Sequence, residues 1–445
     1  MRVAVIGGGI SGLAAAHFLA DAGHDVVVIE ADPQPGGVMR SERHEGFLCE
    51  TGPQALLDGA PETRRLIDGV GLSDRVLHAL PAARRRFLFD KGKLHALPMS
   101  PPALLTSPLL SLRGKLRLLA EPLIRRPKVI DPDESVLAFG TRRFGAEVAQ
   151  RLLAPAVIGI YAADAATLAV HSALPKLAGF ERDHGSVLRG AIAARRKGSG
   201  AAKPISFPGG LQDLARAIAG RLNDRLIIGA AVGIDRRGAR WLVSVADRPS
   251  PVEADAVVVA TPAAASAALL DGLAPQAAAA LRAVPFAPAA IVALGFKNAE
   301  PPLRMDLGGY GFIVPRGQGV DLLGCQYESS IFPQRAPAGS VLLRAILGGT
   351  FHPEVVEKTD GVIAALAVGD IQRVAGLKRD PDLVRVWRHS AGLPQYRPGH
   401  AQLVAQAKAD LARQPGLHLL GQTLLGVGVN DCIAAAAALA VRLPA

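Results

Sequence analysis

The hydrophobic pattern at the start of the chain predicts a strand, a glycine-rich turn, a helix and a second strand. A short apolar run covers Val3 to Ile6, the turn follows at Gly7 to Gly12, and an apolar helical stretch extends from Leu13 to Ala22. A second apolar run, Val26 to Ile29, closes at Glu30. Continuous apolar runs of this length are typical of strands buried on both faces of a parallel sheet. We therefore predict a βαβ unit here.

The middle of the chain has other patterns, and the succession of strand, glycine turn and helix recurs at its end. Residues 134–196 predict helices, whereas residues 291–347 alternate short apolar runs with Gly and Pro, which predicts an antiparallel sheet. Residues 417–420 then predict a strand, 426–430 a glycine turn and 433–441 a helix. Both ends of the chain thus show the strand, glycine turn and helix of a nucleotide-binding fold. We therefore predict an α/β fold in which one discontinuous Rossmann-like domain carries two insertions.

The predicted domains are three, and two of them are interrupted in sequence. The segment Lys197 to Gly200 is predicted to be an exposed linker because it is rich in Gly and Ser. The boundaries give a nucleotide-binding domain at 1–80, 201–280 and 401–445, an α+β domain with the antiparallel sheet at 81–97 and 281–400, and a helical domain at 98–200.

Composition and charge exclude several classes of protein. Hydrophobic residues make up 49% of the 445 residues and charged residues 20%, which excludes global disorder. The formal net charge of +11 permits an anionic partner. Aromatic residues, at 4%, are too few for the stacking platform of a single-stranded nucleic-acid binder, so we expect no nucleic-acid partner.

The cysteines and the apolar runs bear on compartment and membrane topology. Cys49, Cys325 and Cys432 form no CxxC pair, so we expect no disulfide scaffold and no metal site, in a reducing, cytoplasmic compartment. No run reaches 18 consecutive apolar residues, and no signal-peptide pattern stands at the start. The sequence therefore predicts neither a membrane-spanning helix nor a removable leader.

The first glycine turn has the spacing of a dinucleotide-binding fingerprint. Gly7 allows the tight turn, Gly9 lets the backbone approach a pyrophosphate, and Gly12 permits close packing of helix and strand. The N-terminus of the helix offers free N–H groups to phosphates. Glu30, 18 residues after Gly12, can accept hydrogen bonds from ribose hydroxyls and would repel a 2′-phosphate. The alternative is a glycine-rich turn that binds no ligand.

Later glycine motifs favour FAD over NAD. Gly36-Gly37 and the segment Glu50 to Pro53 follow the terminal acid closely, which suits a ligand longer than an adenosine half. Near the end of the chain, Gly426 to Asp431 precedes a helix whose dipole can stabilise negative charge on a reduced flavin. In the alternative interpretation, Asn430 or Asp431 only caps that helix.

These motifs and several others resemble a known family. The opening, Val3 to Ala16, resembles the flavin amine oxidase superfamily and is shared by many flavoproteins. More specific motifs resemble the oxygen-dependent protoporphyrinogen oxidases within that superfamily, in consistent order over nearly the whole chain: Arg86 to Leu88 with Leu94 to Pro98, Phe207 to Gln212, Gly309 to Pro315, Gly392 to Tyr396 with Gly399-His400, and Gly426 to Ile433.

The resemblance implies a non-covalently bound FAD. Two of the implied positions depart from the family pattern, since Gln54 replaces an asparagine of some relatives and His389 stands where the family often has an aromatic residue. His389 is equally compatible with a core histidine. The residues that the resemblance assigns to FAD are Gly7, Gly8, Gly9, Ile10, Ser11, Gly12, Glu30, Ala31, Gly36, Gly37, Gly52, Pro53, Gln54, Ala55, Val232, His389, Val427, Gly428 and Val429.

The resemblance also implies a large apolar tetrapyrrole substrate that carries propionates. Arg86 matches the family arginine that pairs with a propionate, which a planar guanidinium fits bidentately, although a solvated basic turn would also place an arginine here. Tyr310, Gly311, Ile313 and Ile346 match positions that hold the macrocycle, and the family usually has Phe in place of Tyr310. The carbonyl of Gly311 is a candidate to polarise a pyrrole N–H, and no catalytic acid–base pair is apparent.

The implied reaction is the oxidation of protoporphyrinogen IX to protoporphyrin IX in three two-electron steps, with oxygen as acceptor. Coproporphyrinogen III oxidation is one alternative, because that substrate differs in having four propionates instead of two. A flavin amine oxidase is a second, although Gly416 to Asn430 lacks the Trp or Tyr of an amine cage. A basic nucleic-acid-binding scaffold is a third, which the scattered charge and scarce aromatics disfavour.

Residues 101–128 bear on where the protein works. Leu-rich stretches alternate there with cations, and the resemblance implies a helical membrane-binding domain at this place. We predict peripheral membrane association without a span; the alternative is an ordinary amphipathic helix packed on the core. A homodimer is left open as the assembly state. The cations are Arg113, Lys115, Arg117, Arg125, Arg126 and Lys128.

Overall fold

The structure is a computed structural model that describes residues 1–196, 202–298, 302–304 and 306–443. The linker predicted at Lys197 to Gly200 lies outside the described residues. Strands and helices alternate over much of the described chain, so the fold is of the mixed α/β class that the sequence predicts.

The strands of the described residues form five sheets. In chain order they are β1 (Arg2–Ile6), β2 (Asp25–Glu30), β3 (Ser41–His44), β4 (Phe47–Glu50), β5 (Leu56–Asp58), β6 (Leu77–His78), β7 (Arg86–Asp90), β8 (Lys93–Ala96), β9 (Lys203–Ser206), β10 (Leu226–Ile228), β11 (Ala231–Arg237), β12 (Arg240–Val245), β13 (Val252–Ala254), β14 (Ala256–Val259), β15 (Phe286–Phe296), β16 (Gly311–Ile313), β17 (Leu322–Gln326), β18 (Val341–Gly348), β19 (Leu383–Pro394) and β20 (Leu417–Leu419).

The helices cover the sheets and form a separate helical region between residues 101 and 196. They are α1 (Ile10–Asp21), α2 (Pro61–Gly69), α3 (Pro101–Thr106), α4 (Leu112–Leu119), α5 (Val136–Phe144), α6 (Ala146–Val148), α7 (Ala154–Tyr161), α8 (Val170–Ala173), α9 (Pro175–His184), α10 (Val187–Arg196), α11 (Gln212–Leu222), α12 (Ala263–Leu270), α13 (Pro275–Ala283), α14 (Glu328–Ile331), α15 (Asp360–Ala375), α16 (His400–Leu411), α17 (Gln422–Leu425) and α18 (Val429–Arg442).

A five-stranded parallel sheet forms the Rossmann-like core, with the strand order β10-β2-β1-β14-β20. Val3 and Val5 of β1 pack with α1, α11 and α18 on one face, and Ala4 and Ile6 pack with α12 and α13 on the other. Both faces are therefore buried, as the continuous apolar runs predict. The strands come from three separate parts of the chain, which supports a discontinuous domain, although the exact domain boundaries stay a prediction.

A seven-stranded sheet has the order β19-β15-β18-β17-β16-β7-β8. Its pairs are antiparallel, as predicted, except that β16 lies parallel to β7. Phe87, Phe312 and Cys325 lie on the face that packs against α15, where the largest apolar cluster of this sheet forms. Side chains alternate along a strand, so Ile313, which follows Phe312, and Ile346, which follows Ala345, lie on the opposite face of the sheet. That face packs against Ile158 of α7 and neighbouring residues.

The helical region has its own apolar core. Helices α5 to α10 fill residues 136–196, as the sequence predicts, and bury Phe139, Val157 and Tyr161 among other side chains. None of the helices in the described part of the chain is long and apolar enough to cross a membrane.

Two predicted helix starts need correction, and one short helix was not predicted. Helix α1 begins at Ile10 instead of Leu13, and α18 begins at Val429 instead of Ile433. Gly, Ser, Asn and Asp near a helix start have low intrinsic helix propensity, and packing of α1 against α18 overrides it. The short helix α17 (Gln422–Leu425) was not predicted, because four residues are too few to show a helical period.

Candidate active site

The turn between β1 and α1 leaves backbone open to a ligand. A Cβ atom built on Gly12 would collide with the carbonyl oxygen of Gly7, so only glycine allows the helix to start this close to the strand. A Cβ on Gly9 would meet no described atom within 4 Å. Gly9 is also the N-cap of α1 and supplies no side-chain cap. The first N–H groups of the helix therefore face the open side of the turn.

Glu30, at the end of β2, is held by backbone donors from both sides. The N–H of Gly8 donates to one carboxylate oxygen, and the N–H of Asp32 donates to the other at 2.8 Å. This arrangement fixes the carboxylate beside the glycine turn and leaves lone pairs on both oxygens for ribose hydroxyls. Ala31 follows Glu30 and is exposed.

The second glycine turn lies directly against the first. The N–H of Gly36 donates to the carbonyl of Gly8 at 2.8 Å, and Gly36 forms a parallel bridge with Gly9. A Cβ on Gly37 would lie 3.3 Å from the Cα of Gly9. The two turns predicted to contact one ligand are thus adjacent in space.

The C-terminal glycine turn reaches the same place. Ser11, in the first turn of α1, is buried, and α1 packs against α18. In α18, the thiol of Cys432 lies 3.9 Å from the carbonyl oxygen of Gly426. Ile10 and Val429 pack in one apolar cluster. The turn that contains Val427 and Gly428 therefore stands beside the first glycine turn.

Asp431 and Asn430 both bear on the start of α18. The carboxylate of Asp431 accepts from the N–H of Gly428 at 3.1 Å, so it caps the helix, as one of the two sequence interpretations proposed. Asn430 instead exchanges two hydrogen bonds with the backbone of Leu57, each 3.0 Å long. These contacts tie the C-terminal turn to β5, immediately after the Gly52 to Ala55 turn.

The turn formed by Gly52, Pro53, Gln54 and Ala55 stands on a buried ion cluster. The guanidinium of Arg335 donates to the carbonyl of Gln54 at 2.6 Å and to the carboxylate of Glu50 at 3.1 Å, and it also pairs with Glu328. All three charged side chains are buried. Burial raises the pKa of Glu50, whereas Glu328 and Glu50 raise the pKa of Arg335 against the opposing effect of burial.

Four of the predicted substrate residues share one face of the seven-stranded sheet. The register pairs Gly311 with Arg86 and with Gln326, and Gln326 with Arg344, so these side chains form one row across β7, β16, β17 and β18. In the next row, Ile313 and Ile346 both pair with Gly324, and they pack with Leu323 and Ile158. Residues opposite one another project to the same side of a sheet.

Tyr310, the fifth predicted substrate residue, links this face to the flavin turn. Its hydroxyl donates to the side-chain oxygen of Gln54, and the guanidinium of Arg86 lies 4.8 Å from the centre of its ring. Arg86 itself is exposed. The side-chain nitrogen of Gln54 is buried and has no partner among the described residues.

His389 and Val232 are the two remaining residues that the resemblance assigns to FAD. The ring nitrogen Nε2 of His389 lies 2.6 Å from the carbonyl oxygen of Thr51, one residue before Gly52, so the half-buried histidine contacts the turn backbone. Val232 is 64% exposed and follows Gly229, whose N–H donates to the carbonyl of Glu30 at 2.7 Å. Their contacts with FAD stay predictions.

Arg344 is the residue of this face that the sequence reasoning missed. It is 6% exposed, donates to Gln326 at 2.7 Å and to the carbonyl of Gly52, and burial lowers the pKa of its guanidinium. Its Nε is buried without a partner among the described residues. A lone charged residue inside the apolar run Val341 to Gly348 was the signal available in the sequence.

FAD fits this arrangement on two observations. The open backbone at Gly9 and the uncapped start of α1 suit a pyrophosphate. Gln54 Nε2 and Arg344 Nε are buried donors without a partner among the described residues, and acceptors of a bound group would satisfy them. Gln54 belongs to the Gly52 to Ala55 turn, and Arg344 donates to the carbonyl of Gly52. The donor set thus matches a long, acceptor-rich ligand.

Comparisons with known proteins identify the family of the chain. The family model described as flavin containing amine oxidoreductase matches residues 10–443. The chain is 34% identical to human protoporphyrinogen oxidase, over 97% of this chain and 96% of that protein. It is 29% identical to coproporphyrinogen III oxidase of Bacillus subtilis (strain 168), over 97% and 95% of the two chains.

A solved structure extends the comparison to the fold. The crystal structure of a protein from Exiguobacterium sp. 255-15, assigned as a protoporphyrinogen oxidase, superposes with a TM-score of 0.82 at 25% identity, covering 99% of this chain and 98% of that one. The resemblance that the sequence motifs indicated is confirmed. The chain belongs to the flavin containing amine oxidoreductase family, with protoporphyrinogen oxidases among its relatives, and is an FAD-dependent oxidoreductase.

Proposed function

We propose that this enzyme oxidises protoporphyrinogen IX to protoporphyrin IX, with FAD as cofactor and oxygen as acceptor. The observation that carries the proposal is the sheet face on which Arg86, Gly311, Ile313 and Ile346 lie together, joined to the Gly52 to Ala55 turn through Tyr310. An apolar surface with a cation at its edge matches a large apolar ring that carries carboxylates. The names of the relatives support the same substrate class.

The cofactor would be held by the three glycine turns, the Gly52 to Ala55 turn and Glu30. The N-terminal turns would hold the pyrophosphate and ribose, and the Gly52 to Ala55 and Val427 to Val429 segments would flank the ring system. When bound, FAD supplies a two-electron acceptor that takes hydride from a saturated meso carbon.

The protein's own contribution is orientation and exclusion of water. Arg86 would pair with a propionate at the exposed edge, because its guanidinium is free to form a bidentate contact while the Tyr310 ring lies beneath it. Ile313 and Ile346, packed with Ile158 and Leu323, would form the dry wall against which the macrocycle lies. Gly311 would offer its carbonyl to a pyrrole N–H.

Coproporphyrinogen III is the second candidate substrate, and Arg344 is the observation that favours it. Arg344 lies in the same row as Arg86, three strands away, which is roughly 14 Å across a sheet. A second cation would suit additional propionates. However, Arg344 is buried and already bonded to Gln326 and the carbonyl of Gly52, so we favour the substrate with two propionates.

Anaerobic reduction of the bound flavin tests the choice. The enzyme is mixed in parallel with protoporphyrinogen IX, coproporphyrinogen III and a set of primary amines, and the loss of flavin absorbance is followed. We expect the fastest reduction with protoporphyrinogen IX. A preference of tenfold or more for coproporphyrinogen III would overturn the substrate assignment, and reduction by amines alone would overturn the reaction class.

We also propose that residues 101–128 bind a membrane surface peripherally. Leu112, Leu116 and Leu119 of α4 are exposed by 73%, 57% and 55%, although Leu118 on the opposite side of the helix is buried. The helix therefore docks through one face and presents leucines on the other. Exposed leucines beside cations suit an anionic bilayer surface. The predicted boundaries of the three domains and a homodimeric assembly stay proposals.

A further inference from the structure

The motif Gln395-Tyr396 with His400 has no role in the site described so far. Tyr396 is 1% exposed and lies in the apolar core of the helical region, where its ring meets the edge of the Tyr161 ring at a centroid distance of 5.7 Å. Yet its hydroxyl points out of that core, to the segment that leads into the C-terminal glycine turn.

The Tyr396 hydroxyl is bonded to both ends of one short segment. It donates to the carbonyl of Gln422 and accepts from the N–H of Gly426 at 3.1 Å. These two groups bracket α17. Gly426 has φ of +120°, and a Cβ there would lie 2.7 Å from the Cβ of Asp431, so its backbone conformation is restricted to glycine. One hydroxyl thereby fixes where the turn begins.

His400 supports the same arrangement from the other side of the ring. It stacks on Tyr396 at a centroid distance of 4.2 Å with an interplanar angle of 24°, and its ring lies beside the backbone of Leu424. It is 4% exposed. Tyr396 and His400 together thus hold α17 through contacts with Gln422, Leu424 and Gly426.

The motif is anchored at its other end in the helical region. The side-chain nitrogen of Gln395 donates to the carbonyl of Tyr161 at 3.0 Å, and the N–H of Ala169 donates to the carbonyl of Tyr396 at 2.8 Å. A rigid group of contacts therefore runs from α7 to Gly426. The turn after Gly426 contains Val427, Gly428 and Val429, the residues predicted to contact the flavin.

We propose that Tyr396 is a positioning residue that sets the Gly426 to Val429 turn for FAD. The inference rests on the proposed placement of the flavin ring at that turn. It adds that the position of the turn is controlled by a tyrosine that does not itself contact the cofactor. A tyrosine with a purely structural role would lower the stability of the fold without changing FAD affinity.

Tyr396→Phe tests the proposal, with Tyr161→Phe as its matched control. Both changes remove one buried hydroxyl from adjacent rings, but the Tyr161 hydroxyl donates to the carbonyl of Ala173 at 2.8 Å and does not reach the glycine turn. FAD is removed from each protein and titrated back, with binding followed by quenching of flavin fluorescence and by the visible circular dichroism of the bound flavin.

We expect Tyr396→Phe to weaken FAD binding about tenfold, the effect of losing one or two hydrogen bonds that set the turn, and to alter the visible circular dichroism. Tyr161→Phe should bind FAD within about twofold of the unchanged protein. His400→Phe keeps a stacked ring but loses the polar imidazole that lies beside the backbone of Leu424, so it should weaken binding in the same direction. It provides a second variant if Tyr396→Phe folds poorly.

Equal FAD affinity and equal circular dichroism in Tyr396→Phe, His400→Phe and Tyr161→Phe would overturn the proposal. Because no porphyrinogen is used, this outcome is distinct from failure of the substrate assignment. If the unchanged protein bound FAD tightly while Val427→Asp had no effect on binding, the placement of the flavin at this turn would fail instead.

Discussion

The Tyr310 hydroxyl donates a hydrogen bond to the side-chain oxygen of Gln54, which joins the substrate face of the seven-stranded sheet to the turn assigned to the flavin. The resemblance to the related oxidases implies Phe and, in some relatives, Asn at these two positions. In this chain the phenol of Tyr310 finds its acceptor in the side-chain amide of Gln54.

A double-mutant cycle on this pair should reveal coupling. Tyr310→Phe leaves the amide oxygen of Gln54 unpaired, and Gln54→Asn withdraws the acceptor by one methylene, so each single variant should lose about three- to tenfold in kcat/KM, equivalent to roughly 1 kcal/mol. The double variant should lose much less than the product of the two. Steady-state oxidation kinetics measure all four proteins, and independent effects would show that the hydrogen bond has no role in the site.

The sequence was sufficient for the glycine turns but not for this pair. The βαβ unit could be predicted because its apolar runs are continuous and its glycines have a fixed spacing. Tyr310 and Gln54, by contrast, are 256 residues apart, and their contact depends on the register of β16 beside β7. Arg344 was missed for the same reason, because a strand sequence does not reveal which turn lies above each row.

Substitution of Arg86 should affect substrate binding more than turnover. Arg86→Met removes the cation at the exposed edge of the substrate face, so KM for the porphyrinogen should rise about tenfold or more while kcat stays within about twofold. Arg84→Met is the matched control, because Arg84 is an equally exposed arginine in the 3-10 turn before β7. It should leave both constants nearly unchanged.

Two outcomes would argue against the role assigned to Arg86. Equal increases of KM in Arg84→Met and Arg86→Met would indicate general electrostatic attraction of an anionic substrate. A fall in kcat without a change in KM would place Arg86 in the chemical step instead of in binding. Repeating the assay at high ionic strength separates the first outcome from a bidentate contact, because screening weakens long-range attraction first.

Acid should destabilise the protein partly through His400. Burial lowers the pKa of His400 to about 4 from 6.5, so the folded state favours the neutral ring. The contribution of His400 to stability is therefore complete above pH 6.5 and is lost as the pH falls towards 4, with a total loss of about 3 kcal/mol. Urea unfolding between pH 4 and pH 8 measures the free energy of unfolding.

His400→Phe should flatten this dependence on pH, because the stacked ring remains but no longer titrates. Burial also lowers the pKa of His17 and of His418, so some acid destabilisation should persist. His78→Phe is the control, since the side chain of His78 is 51% exposed. An unchanged slope in His400→Phe between pH 4 and pH 6.5 would show that the acid sensitivity arises elsewhere.

The exposed leucines of α4 lead to the last prediction, because the structure explains why they are not core residues. Leu118 and Gly114 face inward, and the Arg117 guanidinium donates to the carbonyl oxygens of Arg142 and Arg143 at 2.7 and 2.9 Å. The Arg117 side chain is therefore used to dock the helix. The sequence analysis had counted Arg117 among the cations that would face a membrane, and its backbone contacts argue against that role. Arg113, next to Leu112, remains exposed.

Leu116→Glu combined with Leu119→Glu should abolish binding to anionic liposomes while leaving oxidase activity in detergent intact. Each leucine inserted into a bilayer surface contributes about 1 to 2 kcal/mol to the free energy of membrane binding, and each nearby cation contributes about 1 kcal/mol. Two acidic substitutions remove the apolar contribution and oppose the electrostatic attraction. Val362→Glu, on an exposed position of α15, is the matched control and should still float with the vesicles. Flotation with vesicles that contain phosphatidylserine gives the readout, and recovery of the unchanged protein entirely in the soluble fraction would show that this face does not bind an anionic lipid surface.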